Sequence, residues 1–199
     1  MDEEIIYLNK AKKHKEVFES KKAKATKEKG LIIVYTGPGK GKTTAALGMG
    51  IRILGHDMKL GIIQFIKGAL DTAERNFFSN YKNCIFKSMG DGYTWNTQNQ
   101  NQDIASANQA WLLAKEMITS NTFDMVILDE LNIILKKQYL DESEVIDFLL
   151  KKPNNLHIVI TGRNAPSKLV KIADLVSEVK CIKHPYQEQG VKAQKGIEF

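Results

Sequence analysis

Four side chains in two stretches of this chain have the types and spacing to act on a phosphorylated substrate. Lys42 and Thr43 close the run Thr36-Gly37-Pro38-Gly39-Lys40-Gly41-Lys42-Thr43-Thr44, and Asp129 and Glu130 close Met125-Val126-Ile127-Leu128-Asp129-Glu130. The Lys42 ammonium suits phosphate oxygens, and the Thr43 hydroxyl with one or two carboxylates suits the octahedral oxygen shell of Mg²⁺. Thr44 supports that hydroxyl from the next position. Gly37, Gly39 and Gly41 fall at alternate positions, so the main chain can curl around anionic oxygens and turn its N–H groups toward them, and a following helix adds the positive end of its dipole. Gly37 through Thr44, Pro38 and Lys40 included, is therefore the candidate cradle for a triphosphate, with Thr43, Asp129 and Glu130 as candidate metal ligands.

These groups have to be delivered to one place, and the flanking patterns say how. Leu31 to Tyr35 is a β-branched apolar run that reads as a buried strand, and Thr43 to Leu54 reads as a helix with Ala45, Ala46, Leu47, Ile51 and Leu54 facing inward. Strand, glycine loop, Lys-Thr, helix is the plan of a P-loop. The general pattern G-x-x-x-x-G-K-[ST] asks for glycine at position 36, where Thr36 stands, so the first glycine is shifted to Gly37. Met125 to Glu130 is an apolar strand ending in acids, the Walker B pattern, which brings carboxylates to the sheet edge beside a metal held by the loop.

Further strands are read at Lys59 to Ile66, Cys84 to Met89, Leu156 to Thr161 and Leu175 to Ile182. Helices are read at Thr72 to Tyr81, Asp103 to Ser120, Glu142 to Lys151 and Ser167 to Ala173, followed by an irregular basic tail from Lys183. Trp111 falls on the apolar stripe of its helix and reads as core. The alternation predicts an α/β, P-loop NTPase-like fold, a mostly parallel sheet with right-handed crossovers and helices on both faces. Ligands bind beyond the carboxyl ends of such strands, so Arg163, just after Leu156 to Thr161, is a candidate phosphate contact. Between Gly90 and Asn99 a polar loop carries Tyr93 and Trp95, large aromatics that either plug the surface or face a ligand.

Composition bounds the rest. A chain of 199 residues buries roughly 70% of its unfolded surface in one core and needs no covalent staple. Cys84 and Cys181 form no C-x-x-C pattern, which argues against a zinc site or redox pair, and they read as buried reduced thiols. His14, His56, His157 and His184 show no ligand spacing and read as surface or turn residues. Lys+Arg 29 against Asp+Glu 23 gives a net charge of +6, and residues 1–29 hold nine lysines against six acids. The organisation expected is a basic, weakly amphipathic helical arm at 1–29 and a P-loop α/β domain at 30–199. No window approaches the ~20 apolar residues of a membrane span, and no signal-peptide core opens the chain, so the expected place is the cytoplasm.

A P-loop does not by itself choose a reaction. A kinase or ATPase with Glu130 as its base fits these residues, as does a nucleotide-dependent switch whose basic arm contacts nucleic acid, although no recognition helix or stacking sheet motif is present.

Several further stretches narrow the choice. Gln64-Phe65-Ile66-Lys67-Gly68, Glu74-Arg75-Asn76, Gly92-Tyr93-Thr94-Trp95-Asn96-Thr97-Gln98-Asn99, Leu128-Asp129-Glu130-Leu131, Thr161-Gly162-Arg163 and Gly190-Val191-Lys192-Ala193-Gln194-Lys195-Gly196-Ile197, with the P-loop, resemble the P-loop type of ATP:corrinoid adenosyltransferase. The resemblance runs from the arm to the last residue. It implies transfer of the 5′-deoxyadenosyl group of ATP to the Co(I) of cob(I)alamin or another reduced corrinoid, release of triphosphate, Mg²⁺ as the metal, and ATP reversed along the loop relative to hydrolases. It implies that Tyr93 and Trp95 fill the lower axial face of the corrin. Pro38 stands where an Asn is often seen, and Tyr93 where a Phe is commoner. Lys42 and Arg163, with Arg52 near the end of the P-loop helix, are its nucleotide contacts. The partners implied are a second copy in a homodimer, with residues 1–29 as a lid, and an electron-donor flavoprotein, with neither nucleic acid nor a membrane.

Overall fold

The computed structural model describes residues 3–66, 73–89 and 99–197. Short apolar runs form β1 (Ile32–Thr36), β2 (Leu60–Gln64), β3 (Cys84–Ser88), β4 (Met125–Asp129), β5 (His157–Thr161) and β6 (Leu175–Glu178). They join in one sheet, ordered β3-β2-β4-β5-β1-β6, in which every pairing is parallel. The sheet among the described residues is thus wholly rather than mostly parallel.

The central strands read as continuous apolar runs because both faces are covered. On one face Ile33, Ile62, Ile127 and Val159 share a core with residues of α2 (Lys42–Leu54) and α3 (Ala73–Ser79). On the other, Val34, Ile63, Leu128 and Ile160 meet α4 (Gln100–Thr119), α5 (Leu131–Lys136), α6 (Glu142–Leu150) and α7 (Ser167–Ile172). Trp111 of α4 lies in this second core with its ring edge-on to Phe148 at 5.4 Å, as its place on the helical stripe implies. Parallel pairing also puts the carboxyl ends of β1, β2, β4 and β5 on one edge. The register sets Gln64 beside Asp129 and Tyr35 beside Thr161.

Several readings need correction. Ile51 is 51% exposed, and Ile53 takes the inner place on α2. The last strand stops at Glu178, because the chain then leaves β1 to run against the P-loop, and Ile182 is exposed. Helix α5 follows Glu130 directly, and the tail contains α8 (Pro185–Gln189), opened by a proline suited to a first helical turn. Cys181 is an exposed free thiol; Cys84 is half-buried, and burial pushes its thiol up to about 11.

Residues Glu3–Lys24 form α1, exposed along its described length, Phe18 included. After this helix the chain is fastened to the sheet, where the Lys29 ammonium pairs with Asp174 and the Asp174 carboxylate accepts the Ile32 N–H at 2.9 Å. No helix among the described residues is long and apolar enough to cross a membrane.

Candidate active site

The glycine loop runs from the end of β1 to the first residue of α2, and its glycines have different reasons. Gly41 has φ +105 with open space around it, so it is required for its backbone conformation. Gly39 is required for closeness: a Cβ there would lie 2.5 Å from the Lys180 carbonyl oxygen. Gly39 N–H donates to the Val179 carbonyl at 2.7 Å, and Val179 N–H donates to the Thr36 carbonyl at 2.8 Å. The strap after β6 therefore backs the loop.

Lys42 is only 8% exposed, and its ammonium folds into its own loop to donate to the Gly39 carbonyl. Burial lowers its pKa; Arg163 and Lys40 act in the same sense, and Glu130 and Asp129 oppose them. An ammonium short of water and crowded by other cations gains strongly from an arriving polyanion. Arg163 lies in the turn after β5, whose Ala165 N–H donates to Thr36 Oγ1 at 3.0 Å at the start of the loop.

The acidic half of the site is held from the sheet edge. Asp129, fully buried, accepts at Oδ1 from the hydroxyls of Thr43 at 2.8 Å and Thr161 at 2.7 Å, and at Oδ2 from Gln64 Nε2 at 2.9 Å. Glu130 takes a left-handed backbone, φ 66, and its N–H donates to Thr161 Oγ1 at 3.0 Å. That kink ends the strand and sends the second carboxylate toward Gly162, where its Oε2 lies 3.0 Å from the place a Cβ would occupy.

Such a strand, loop and acid pair belong to many nucleotide enzymes, and the comparison with known proteins decides among them. Residues 28–199 match the family model described as ATP:corrinoid adenosyltransferase BtuR/CobO/CobP. The chain belongs to this adenosyltransferase family. A corrinoid adenosyltransferase of a Sinorhizobium species is 49% identical over 180 residues, spanning 89% of this chain and 84% of that one. The corrinoid adenosyltransferase of Pseudomonas aeruginosa is 43% identical over 186 residues, 93% and 91% of the two chains. That of Escherichia coli K12 is 41% identical over 193 residues, 97% of each.

In this member of the adenosyltransferase family the sequence-derived site residues are only partly gathered. Gly37, Gly39, Gly41, Lys42, Thr43, Asp129, Glu130 and Arg163 meet at the carboxyl edge. Pro38, Lys40 and Thr44 are on its exposed rim. Arg52 sits exposed in the last turn of α2, about 15 Å along the helix from Lys42 at 1.5 Å per residue, so its own chain does not bring it to the loop. Tyr93 and Trp95 lie outside the described residues. Reading the sequence for reactive groups overlooks Gln64 and Thr161, whose signal is a polar residue ending an apolar strand, Thr36, whose signal is its departure from the glycine pattern, and Asn132, which carries no local signal.

Proposed function

We propose that this chain transfers the 5′-deoxyadenosyl group of ATP to the cobalt of a Co(I) corrinoid such as cob(I)alamin and releases triphosphate. The observation that carries the reading is a buried Lys42 at the glycine loop beside the Thr43–Asp129 pair, with the turn bearing Arg163 tied to the same edge, in a chain of the ATP:corrinoid adenosyltransferase family. Co(I) brings an electron pair to C5′, the C5′–O bond breaks, and triphosphate leaves with that bond's electrons, so cobalt ends two oxidation levels higher and bound to carbon. The nucleophile carries no proton, and no general base is needed. The work left to the protein is orientation and the stabilisation of charge on the leaving group.

Lys42, Arg163 and the loop N–H groups do that work, with ATP reversed along the loop relative to hydrolases. A metal fits beside them: Thr43 Oγ1 and Asp129 Oδ1 lie 2.8 Å apart, and with Glu130 they supply the small oxygen set that Mg²⁺ takes when phosphates provide the rest. When bound, Mg²⁺ offsets negative charge on the triphosphate. Asp129, already accepting from Thr43, Thr161 and Gln64, fixes the direction of the Thr43 hydroxyl. Tyr93 and Trp95 cover the lower axial face of the corrin and keep a donor ligand off cobalt, which eases reduction to Co(I) by an electron-donor flavoprotein. The enzyme works in the cytoplasm as a homodimer, and the exposed apolar residues of α1 support its use as a lid on the dimer.

The test is anaerobic turnover of ATP with chemically reduced cobalamin. Adenosylcobalamin and intact triphosphate are expected, with loss of both in Lys42→Ala and a steep fall in Trp95→Ala. Formation of ADP and phosphate with an unalkylated corrin, or indifference to the Trp95 change, overturns the reading in favour of phosphoryl transfer.

A further inference from the structure

We propose that Thr36 and Asn132 are positioning residues that lock the turn carrying Arg163 onto the end of the P-loop strand, so that guanidinium and Lys42 ammonium face one triphosphate. The inference rests on the triphosphate reading above and adds to it two residues that touch no substrate.

The β1–β5 ladder stops at the pair Tyr35–Thr161. Beyond it the backbones diverge, one into the glycine loop and the other into the turn Gly162-Arg163-Asn164-Ala165. Side chains take over where the ladder ends. Thr36 Oγ1 accepts the Ala165 N–H at 3.0 Å. Asn132, fully buried on α5, donates from one Nδ2 to the Gly162 carbonyl at 2.9 Å and to the Tyr35 carbonyl at 3.4 Å. The residues on either side of Arg163-Asn164 are thus both fastened to the last two residues of β1.

The turn needs such support. Gly162 and Asn164 have φ +127 and +56, conformations that persist where surrounding structure over-determines them. Arg163 itself is exposed, and a long side chain delivers its charge at lower entropic cost when its base is fixed. The residue at position 36 is the point at which this loop departs from the general glycine pattern. A glycine there has no side-chain oxygen to offer Ala165, so the departure provides half of the lock.

The experiment is a double-mutant cycle read by isothermal titration of Mg²⁺ and ATP into wild type, Thr36→Val, Arg163→Ala and the double variant. Thr36→Val is expected to weaken ATP binding by about tenfold, the upper range for one hydrogen bond, and Thr36→Ser to restore it. The double variant is expected to bind no more weakly than Arg163→Ala alone, since the threonine acts through the arginine. A general loss of stability gives penalties that multiply, and multiplying penalties or wild-type affinity in Thr36→Val overturn the proposal. If Thr36→Val does not fold, Asn132→Leu, which removes the donor to both carbonyls without adding charge, takes its place with the same expectation. ATP binding requires no corrinoid. A wild type that shows this cycle yet makes no adenosylated corrin refutes the reaction and leaves the lock standing, whereas an active wild type with multiplying penalties refutes the lock alone.

Discussion

Thr161→Val tests how much of the acidic centre hangs on one hydroxyl. Thr161 is fully buried; it donates to Asp129 Oδ1 at 2.7 Å and accepts the Glu130 N–H at 3.0 Å. Valine keeps the shape and removes both interactions. Taking the acceptor from a buried N–H costs about 1–3 kcal/mol, and losing a hydrogen bond to a charged group about 1.5–3 kcal/mol. Partial relaxation and the added apolar methyl return some of this, leaving about 2–4 kcal/mol. For a chain of this length each kcal/mol moves Tm by about 2–4 °C, so a fall of roughly 5–15 °C is expected. Thr161→Ser keeps the hydroxyl and sheds one methyl, costing about 1 kcal/mol. Calorimetric melting of both variants, with chelator present so that metal binding does not contribute, measures the difference. A Thr161→Val protein that melts with or above Thr161→Ser would refute the view that this hydroxyl ties Asp129 to the Glu130 kink.

Other expectations follow from single contacts. Gly39→Ala drives a methyl into the Lys180 carbonyl and should lower both Tm and ATP affinity, whereas Gly48→Ala, with open space in the middle of α2, should raise stability by about 0.5–1 kcal/mol; denaturant unfolding of the pair checks the contrast. His157 Nδ1 accepts the Leu31 N–H at 3.2 Å, and burial lowers its pKa from 6.5, with Lys152 acting in the same sense and Asp124 opposing. The unfolded chain therefore takes the proton first, so this contribution is intact above the ordinary histidine value and is lost as pH falls below it. Melting between about pH 7.5 and about pH 5.5 should show a steeper acid loss in wild type than in His157→Gln, and equal slopes would contradict the assignment.

The parts of the site visible in the sequence are those coded locally. Glycine spacing before Lys42 and an apolar strand ending in Asp129 are each contained in one short segment, and the fold class follows from the alternation of such segments. What binds these segments together was not visible, because it depends on register. Gln64 reaches Asp129 only because β2 and β4 pair at that position, and Asn132 reaches Tyr35 only because α5 crosses the end of β1. At Ile51 periodicity misleads, because an apolar residue on a half-exposed helix can satisfy the pattern without being buried, and Ile53 is the covered residue. The end of β6 is obscured for a similar reason: apolar residues continue to Ile182, while pairing ends where the chain turns to back Gly39.

The most direct measurement of the central claim follows one carbon. With ATP labelled by ¹³C at C5′ and a Co(I) corrinoid under anaerobic conditions, the label should appear on the cobalt-bound carbon while the phosphorus signals are those of intact triphosphate. A label that stays in ADP or in adenosine bearing no cobalt would contradict the account.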